Sequence, residues 1–229
     1  MTNQLNTAIL IFTRTHQEES RVKVFSSQAN QEGNAAIAEK LIQHSILTAQ
    51  KSNLPVFPIF DTKQIGDSFG ERLANAIEFI YAKGFDNVIV IGNDCPQISA
   101  TDFLSTSSLL EKSKLVLGPA ADGGLYLLGM AKSAYDRETF INLAWEEKEL
   151  QADFENYADR VSCLIQRLES LQDIDNESDF RYFLQRIKSK LRRELVRILA
   201  SFKRAVFIYT NFIFSGKFLT IAQLRGPPQ

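Results

Sequence analysis

Asn87-Val88-Ile89-Val90-Ile91-Gly92-Asn93-Asp94-Cys95-Pro96-Gln97 is the stretch on which the fold turns. Residues 87–91 are almost wholly β-branched and show no polar alternation, the pattern of a strand covered on both faces. Gly92 to Pro96 then break the strand with turn-forming residues. Upstream, Ser68–Lys83 reads as a helix, with Phe69, Leu73, Ala76, Ile77 and Ile80 on one face and Gly84 ending it. Before it, Leu54–Phe60 reads as a strand. Asn34–Asn53 reads as a helix on the spacing of Ala36, Ile37, Leu41, Ile42, Ile46 and Leu47. Thr7–Thr13, TAILIFT, is an apolar strand. Downstream, Thr101–Lys112 is a helix, and Leu115–Gly118 and Gly124–Met130 are short strands. Arg14–Gly33 is polar, without a clear period. Strand, helix, strand, helix, strand at this spacing predicts an α/β protein with a mainly parallel sheet and helices on both faces.

Ligands of such sheets bind beyond the carboxyl ends of the strands. Three places qualify: the loop after Thr13, the loop after Ile91 and the turn at Asp122. Asp94 directly follows a buried strand, where a carboxylate can hold Mg²⁺ or Mn²⁺, hard cations that prefer oxygen ligands. Gly92 would let the backbone approach a ligand. An aspartate that merely caps the turn explains Asp94 equally well. Gly118-Pro119-Ala120-Ala121-Asp122-Gly123-Gly124 is the second candidate, and Asp-Gly-Gly between apolar runs is also what a plain hairpin looks like. The third is Arg14 with Arg21 and Lys23, cations suited to a diphosphate. Solvated surface charge is the competing reading, since Glu18 and Glu19 lie among them. Asp173, Asp175 and Asp179 read as a strand end and helix N-cap carrying acids that suit the helix dipole. His44 reads as a surface residue of its helix, and Trp145 as partly buried in the core.

Composition excludes several classes. The hydrophobic content, 45% of 229 residues, suffices for a core without disulfides or structural metal. Cys95 and Cys163 form no zinc or CxxC pattern. No GxxxxGK[ST], GxGxxG or GxSxG motif occurs. No apolar run is long enough to span a membrane, and no signal peptide is read, so a cytoplasmic location is expected. Charge is lopsided. Residues 1–180 hold 15 Lys and Arg against 26 Asp and Glu; residues 181–229 hold 11 Lys and Arg against Glu194 alone. Residues 181–204 read as a basic amphipathic helix and 205–214 as a strand or interfacial segment. Docking of 181–229 on the core or on a partner subunit is the expectation. Peripheral membrane contact through 181–214 is the less favoured alternative, and no nucleic-acid partner is expected.

The strings GERLANA (70–76), VIGNDCPQ (90–97), LGPAADGGLYLLG (117–129) and LQDID (171–175) resemble one bacterial family. It is the glycosyltransferase-like family labelled radical-SAM/selenodomain-associated transferase, and the likeness covers about residues 7–180. The resemblance implies a three-layer α/β/α, GT-A-like fold of the nucleotide-diphospho-sugar transferase superfamily, with residues 1–180 as the transferase domain. It implies a metal-dependent transferase using Mg²⁺ or Mn²⁺ and a nucleotide-activated donor, with the acceptor open and a homo-oligomer allowed. Asp94 and Asp122 would be catalytic and metal-binding. Arg14, Arg21, Lys23, Gly92, Asn93, Gly123 and Gly124 would bind substrate. The family's basic loop reads Gly-Arg-Val-Lys-Thr-Arg-Leu. Here it is Ser20-Arg21-Val22-Lys23-Val24-Phe25-Ser26, so the Gly, the Thr and the second Arg are missing. Nucleotidyl transfer on the same fold, and a non-catalytic nucleotide-binding or scaffolding relative, stay open as alternatives.

Overall fold

The computed structural model describes residues 6–202. The chain runs β1 (Thr7–Thr13), α1 (His16–Val22), α2 (Gln31–Gln50), β2 (Val56–Phe60), α3 (Phe69–Ala82), β3 (Asn87–Ile91), α4 (Ala100–Ser113), β4 (Leu115–Pro119), β5 (Leu125–Ala131), α5 (Arg137–Ile141), α6 (Leu150–Arg160), β6 (Ile165–Arg167) and α7 (Glu177–Arg186). A further helix, α8, occupies 190–202. The sheet order is β2-β1-β3-β5-β4-β6. β5 pairs antiparallel with both β3 and β4, and the other pairings are parallel.

Burial explains the central positions. Every residue of β1 and β3 is buried, which only strands with helices on both faces achieve. Alternate side chains of these strands feed two cores. Leu10, Val88 and Val90 pack with Leu73 and Ile77 of α3, Phe140 of α5 and Phe154 of α6. Ile9, Ile11 and Ile89 pack on the other face with Ala49 of α2 and Phe103 and Leu110 of α4. The result is the three-layer α/β/α architecture.

Helix starts follow local chemistry. Ser68 caps α3 in a reciprocal box with Glu71, and Ser99 does the same for α4 with Asp102. Gly84, at φ +94°, takes the left-handed position just after α3. Gly70 is needed for a different reason. A Cβ there would lie 2.5 Å from the Ile141 carbonyl oxygen and 2.7 Å from the Trp145 ring, so the helix seats on α5 only as glycine. Gly70→Ala is expected to cost about 2 kcal/mol by overpacking, read as a lower urea midpoint at unchanged slope.

Two segments depart from the sequence reading. Arg14–Gly33 contains α1, a seven-residue helix too short to register as a period. The stretch read as one helix over 181–204 starts earlier and breaks, giving α7 and α8 with an extended Ile187 between them. Leu191 and Leu195 of α8 join Phe180 and Phe183 of α7 in a third cluster on Phe25, Ile37 and Leu41. The segment read as a strand or interfacial stretch, 205–214, lies outside the described residues. No helix among the described residues is long and apolar enough to cross a membrane.

Candidate functional site

β1, β3 and β4 all end at one edge of the sheet, and the chain returns across that edge at 168–175. Leu168 N–H donates to the Leu117 carbonyl at 2.8 Å, Leu171 N–H to Pro119 at 3.1 Å, and Ala121 N–H to Leu171 at 2.9 Å. Ile174 N–H then donates to the carbonyl of Asp94 at 3.0 Å. These backbone bonds lay residues 171–175 over the ends of β3 and β4. They set Asp173 and Asp175 beside the two acids singled out from the sequence.

Asp94 meets a lysine. Lys23 Nζ lies 2.6 Å from Asp94 Oδ1, 2.8 Å from Asp175 Oδ1 and 3.3 Å from Glu19 Oε1. Burial works against the Lys23 charge, but Asp94, Glu19 and Asp175 together hold its pKa above the ordinary lysine value. Desolvation pushes the Asp94 carboxyl up, and Glu19 and Asp175 add like charge, against the pull of Lys23. Glu19, on α1, is 1% exposed and also accepts from Arg14 Nη1 at 3.4 Å. Asn93 is buried and accepts from the Thr13 hydroxyl at 2.6 Å, which ties the end of β1 to the end of β3. His44 is half-buried rather than a free surface residue, with Nε2 3.1 Å from the Pro96 carbonyl oxygen.

Asp122 sits in a turn of the hairpin type. Its Oδ1 accepts from Gly124 N–H at 2.9 Å, and Ala120 N–H donates to Gly124 O at 2.9 Å. Gly123, at φ +104°, takes the left-handed conformation that the turn demands. Gln151 Nε2 donates to Gly124 O at 3.0 Å and braces the turn from α6. The same turn brings Asp122 to the returning segment. Carboxylate oxygens of Asp122, Asp173 and Asp175 all lie within 4.8 Å of one another. Burial, then the like charges of Asp94, Asp122 and Asp175, push Asp173 up to about 7, although the buried Cys95 thiol donates to it and favours its charge.

Asp122, Asp173 and Asp175 bring together three hard oxygen donors, the kind that Mg²⁺ or Mn²⁺ prefers, with Lys23 as a cation beside only Asp175. Asp94 and Asp122 therefore reach the same edge but do not meet. Asp175 stands between them, shared by Lys23 and the three-carboxylate group. Gly92 opens beside them, lining a small pocket with Asp94, Cys95, Tyr126 and Asp173.

The three cations of the first loop are separated. Lys23 is buried at the centre, Arg14 is half-exposed beside Glu19, and Arg21 is exposed on α1, paired with Glu18. Glu19, Asp173 and Asp175 are not among the site residues expected from the sequence. For the aspartates a signal existed: acids two apart in an extended segment point the same way, just ahead of the Asn176 cap of α7. Trp145 plays no part here. Its Nε1–H donates to Phe140 O at 2.8 Å and its ring packs on Phe69, Phe140 and Phe154.

This architecture is shared with solved structures. A candidate nucleotide-diphospho-sugar transferase from Desulfovibrio desulfuricans G20 aligns with a TM-score of 0.73 at 18% identity, over 86% of this chain and 98% of that one. More distant is 4-diphosphocytidyl-2C-methyl-D-erythritol synthase from Anaerococcus prevotii DSM 20548, at TM-score 0.49, 12% identity and 78% and 98% coverage. Rv0371c from Mycobacterium tuberculosis H37Rv aligns at TM-score 0.47, 9% identity and 80% and 100% coverage. The likeness to the first of these shows that the two chains share one fold. No curated protein matches the sequence. Residues 25–147, more than half of the chain, match one family model, and the protein belongs to that family, DUF2064, described as uncharacterized proteins conserved in bacteria.

Proposed function

We propose that the protein is a metal-dependent transferase acting on a nucleotide-activated donor, of the radical-SAM/selenodomain-associated glycosyltransferase type. The observation that carries this reading is the convergence of Asp122, Asp173 and Asp175 beside the Asp94–Lys23 pair, at the ligand edge of a GT-A-like sheet. Asp122, Asp173 and Asp175 would hold Mg²⁺ or Mn²⁺. When bound, the ion supplies positive charge to a diphosphate leaving group. Lys23 is the chain's own cation at the same place. Leaving Asp94 for a phosphate oxygen would stabilise the charge that builds as the sugar–phosphate bond breaks. Gly92, Gly123 and Gly124 leave the backbone accessible to the donor, and Asn93 fixes the spacing of β1 and β3. Arg14 and Arg21, on the flank, contribute long-range attraction for an anion rather than a clamp. Asp94, freed from Lys23, would take the acceptor's proton. Residues 1–180 form the transferase unit in this reading and 181–229 an appendage to it, in a cytoplasmic protein.

A thermal-shift panel of nucleoside di- and triphosphates and nucleotide sugars, each with Mn²⁺, Mg²⁺ or EDTA, tests this. Ligands that bind only the folded state raise its melting temperature by mass action. The expected result is a shift of several degrees with at least one diphosphate ligand, present with metal, lost with EDTA and lost in Asp122→Asn. Absence of any shift across the panel would overturn the transferase reading. Pyrophosphate release from a triphosphate would reassign it as nucleotidyl transfer.

A further inference from the structure

Away from the carboxylates, on the α3 face of the sheet, the outer edge of β2 and the helix α3 enclose a groove of about 420 Å³. That volume is in the range of sites for small organic ligands. Its walls are Phe57, Ile59, Ile65 and Phe79, with Ile65 at 74% and Phe79 at 47% exposure. The two phenyl rings stand edge to face at 6.4 Å. Lys63 and Arg72 also line the groove, and no carboxylate does. Among the described residues no ion pair involves Lys63 or Arg72. Among the described residues Arg72 Nε is buried without a hydrogen-bond partner. A buried guanidinium donor without a partner is costly, and native structures leave few.

The groove is also held open. Asn75 Nδ2 donates to the Ile65 carbonyl at 2.8 Å while its Oδ1 accepts from Arg137 at 2.9 Å, so the segment above α3 is clipped in place. Gln64 Nε2 donates to Thr13 O at 3.1 Å and fastens the same segment to the end of β1.

The occupant is not a β-strand. Ile9 N–H donates to Pro55 O, and Ile9 is paired with Val56 and Ile11 with Pro58. This register turns the backbone of residues 55, 57 and 59 toward β1 and that of Pro58 outward. Proline has no N–H, so the open edge lacks the donor that strand addition needs at its midpoint.

We propose that this groove binds a small amphipathic anion, an aliphatic or aryl body ending in a carboxylate or sulfonate. The body lies on Phe57, Ile59, Ile65 and Phe79, and the anionic head on Arg72 and Lys63. Arginine suits such a head because its planar fork can pair with two oxygens at once.

The test uses 8-anilinonaphthalene-1-sulfonate fluorescence on the full chain, with decanoate and decanol as competitors. Expected are one saturable site, displacement by decanoate at least tenfold tighter than by decanol, and a tenfold or greater weakening of decanoate in Arg72→Gln. Ile65→Glu, at an exposed position, is expected to weaken decanoate as strongly without changing the melting temperature; it decides the matter if Arg72→Gln does not fold. Asp122→Asn is expected to leave decanoate binding unchanged, separating this site from the carboxylate edge. Absence of saturable binding, equal displacement by decanol, or unchanged affinity in Ile65→Glu would overturn the proposal. A dimer in sedimentation that Ile65→Glu dissociates would also overturn it, giving the groove to a second copy of the chain.

Discussion

Lys23→Met is expected to lower the stability of the protein by about 3 kcal/mol, toward the lower end for breaking a buried ion pair. The lysine is 7% exposed and is the cation shared by Glu19, Asp94 and Asp175. Removing it leaves Glu19 buried with only Arg14 at 3.4 Å. Asp94 and Asp175 have side chains 39% and 45% exposed, so water relieves part of the loss, which is why the figure is not larger. Urea unfolding of wild type and variant measures it. Arg21→Ala is the matched control. That residue is exposed and paired only with Glu18, so its loss should stay within about 0.5 kcal/mol. Asp94→Asn added to Lys23→Met should restore part of the stability, because it removes one of the stranded charges. A Lys23→Met protein as stable as wild type would mean that the ion pairs of Lys23 add nothing net to folding.

The second large effect is a dependence of stability on pH that a divalent cation reverses. Burial and the neighbouring acids raise Asp173 to about 7 in the folded state, against 3.8 as the ordinary value. A carboxyl raised on folding favours the native state in its protonated form. Its contribution is fully present below about pH 4 and is lost as pH rises through about 7. In EDTA, stability is therefore expected to fall between pH 5 and 7.5, on the order of 1–2 kcal/mol once solvent screening is allowed for. Mn²⁺ at ten times its dissociation constant should return about 1.4 kcal/mol at the upper pH. Asp173→Asn should flatten the metal-free profile, since an amide keeps an acceptor for Cys95 but does not titrate. A metal-free protein equally stable at both pH values would remove Asp173 from the cluster as drawn.

What could be read beforehand follows from the range of the interactions. TAILIFT and NVIVI declare their places because a strand with both faces covered must be apolar throughout, a purely local requirement. The start of α3 rests on an equally local device, since the Ser68 and Glu71 of its capping box lie three residues apart. β5 was harder. Its position between β3 and β4 reverses its direction, and nothing inside Leu125–Ala131 encodes that. α5 and β6, five and three residues long, are too short to show a period. At the site, Asp94 and Asp122 stood out as acids at strand ends, which is a local signal. That Lys23 would enter between Asp94 and Asp175, and that Asp122 would meet Asp173 and Asp175, depended on the return of 168–175 across the sheet. That return is made by main-chain hydrogen bonds, to which any sequence contributes alike.

The return has a consequence in time. Lys23 Nζ and the Ile174 carbonyl, 3.4 Å apart in the fold, are 151 residues apart in the chain. At roughly 5–20 residues per second, a ribosome takes roughly 8–30 s to make the second after the first. Through that interval Glu19 and Lys23 are already made, Asp94 joins them about midway, and Asp173 and Asp175 are still to come. The nascent sheet is a scaffold without its carboxylate cluster, which is completed in a single late step, when residues 171–175 cross the edge.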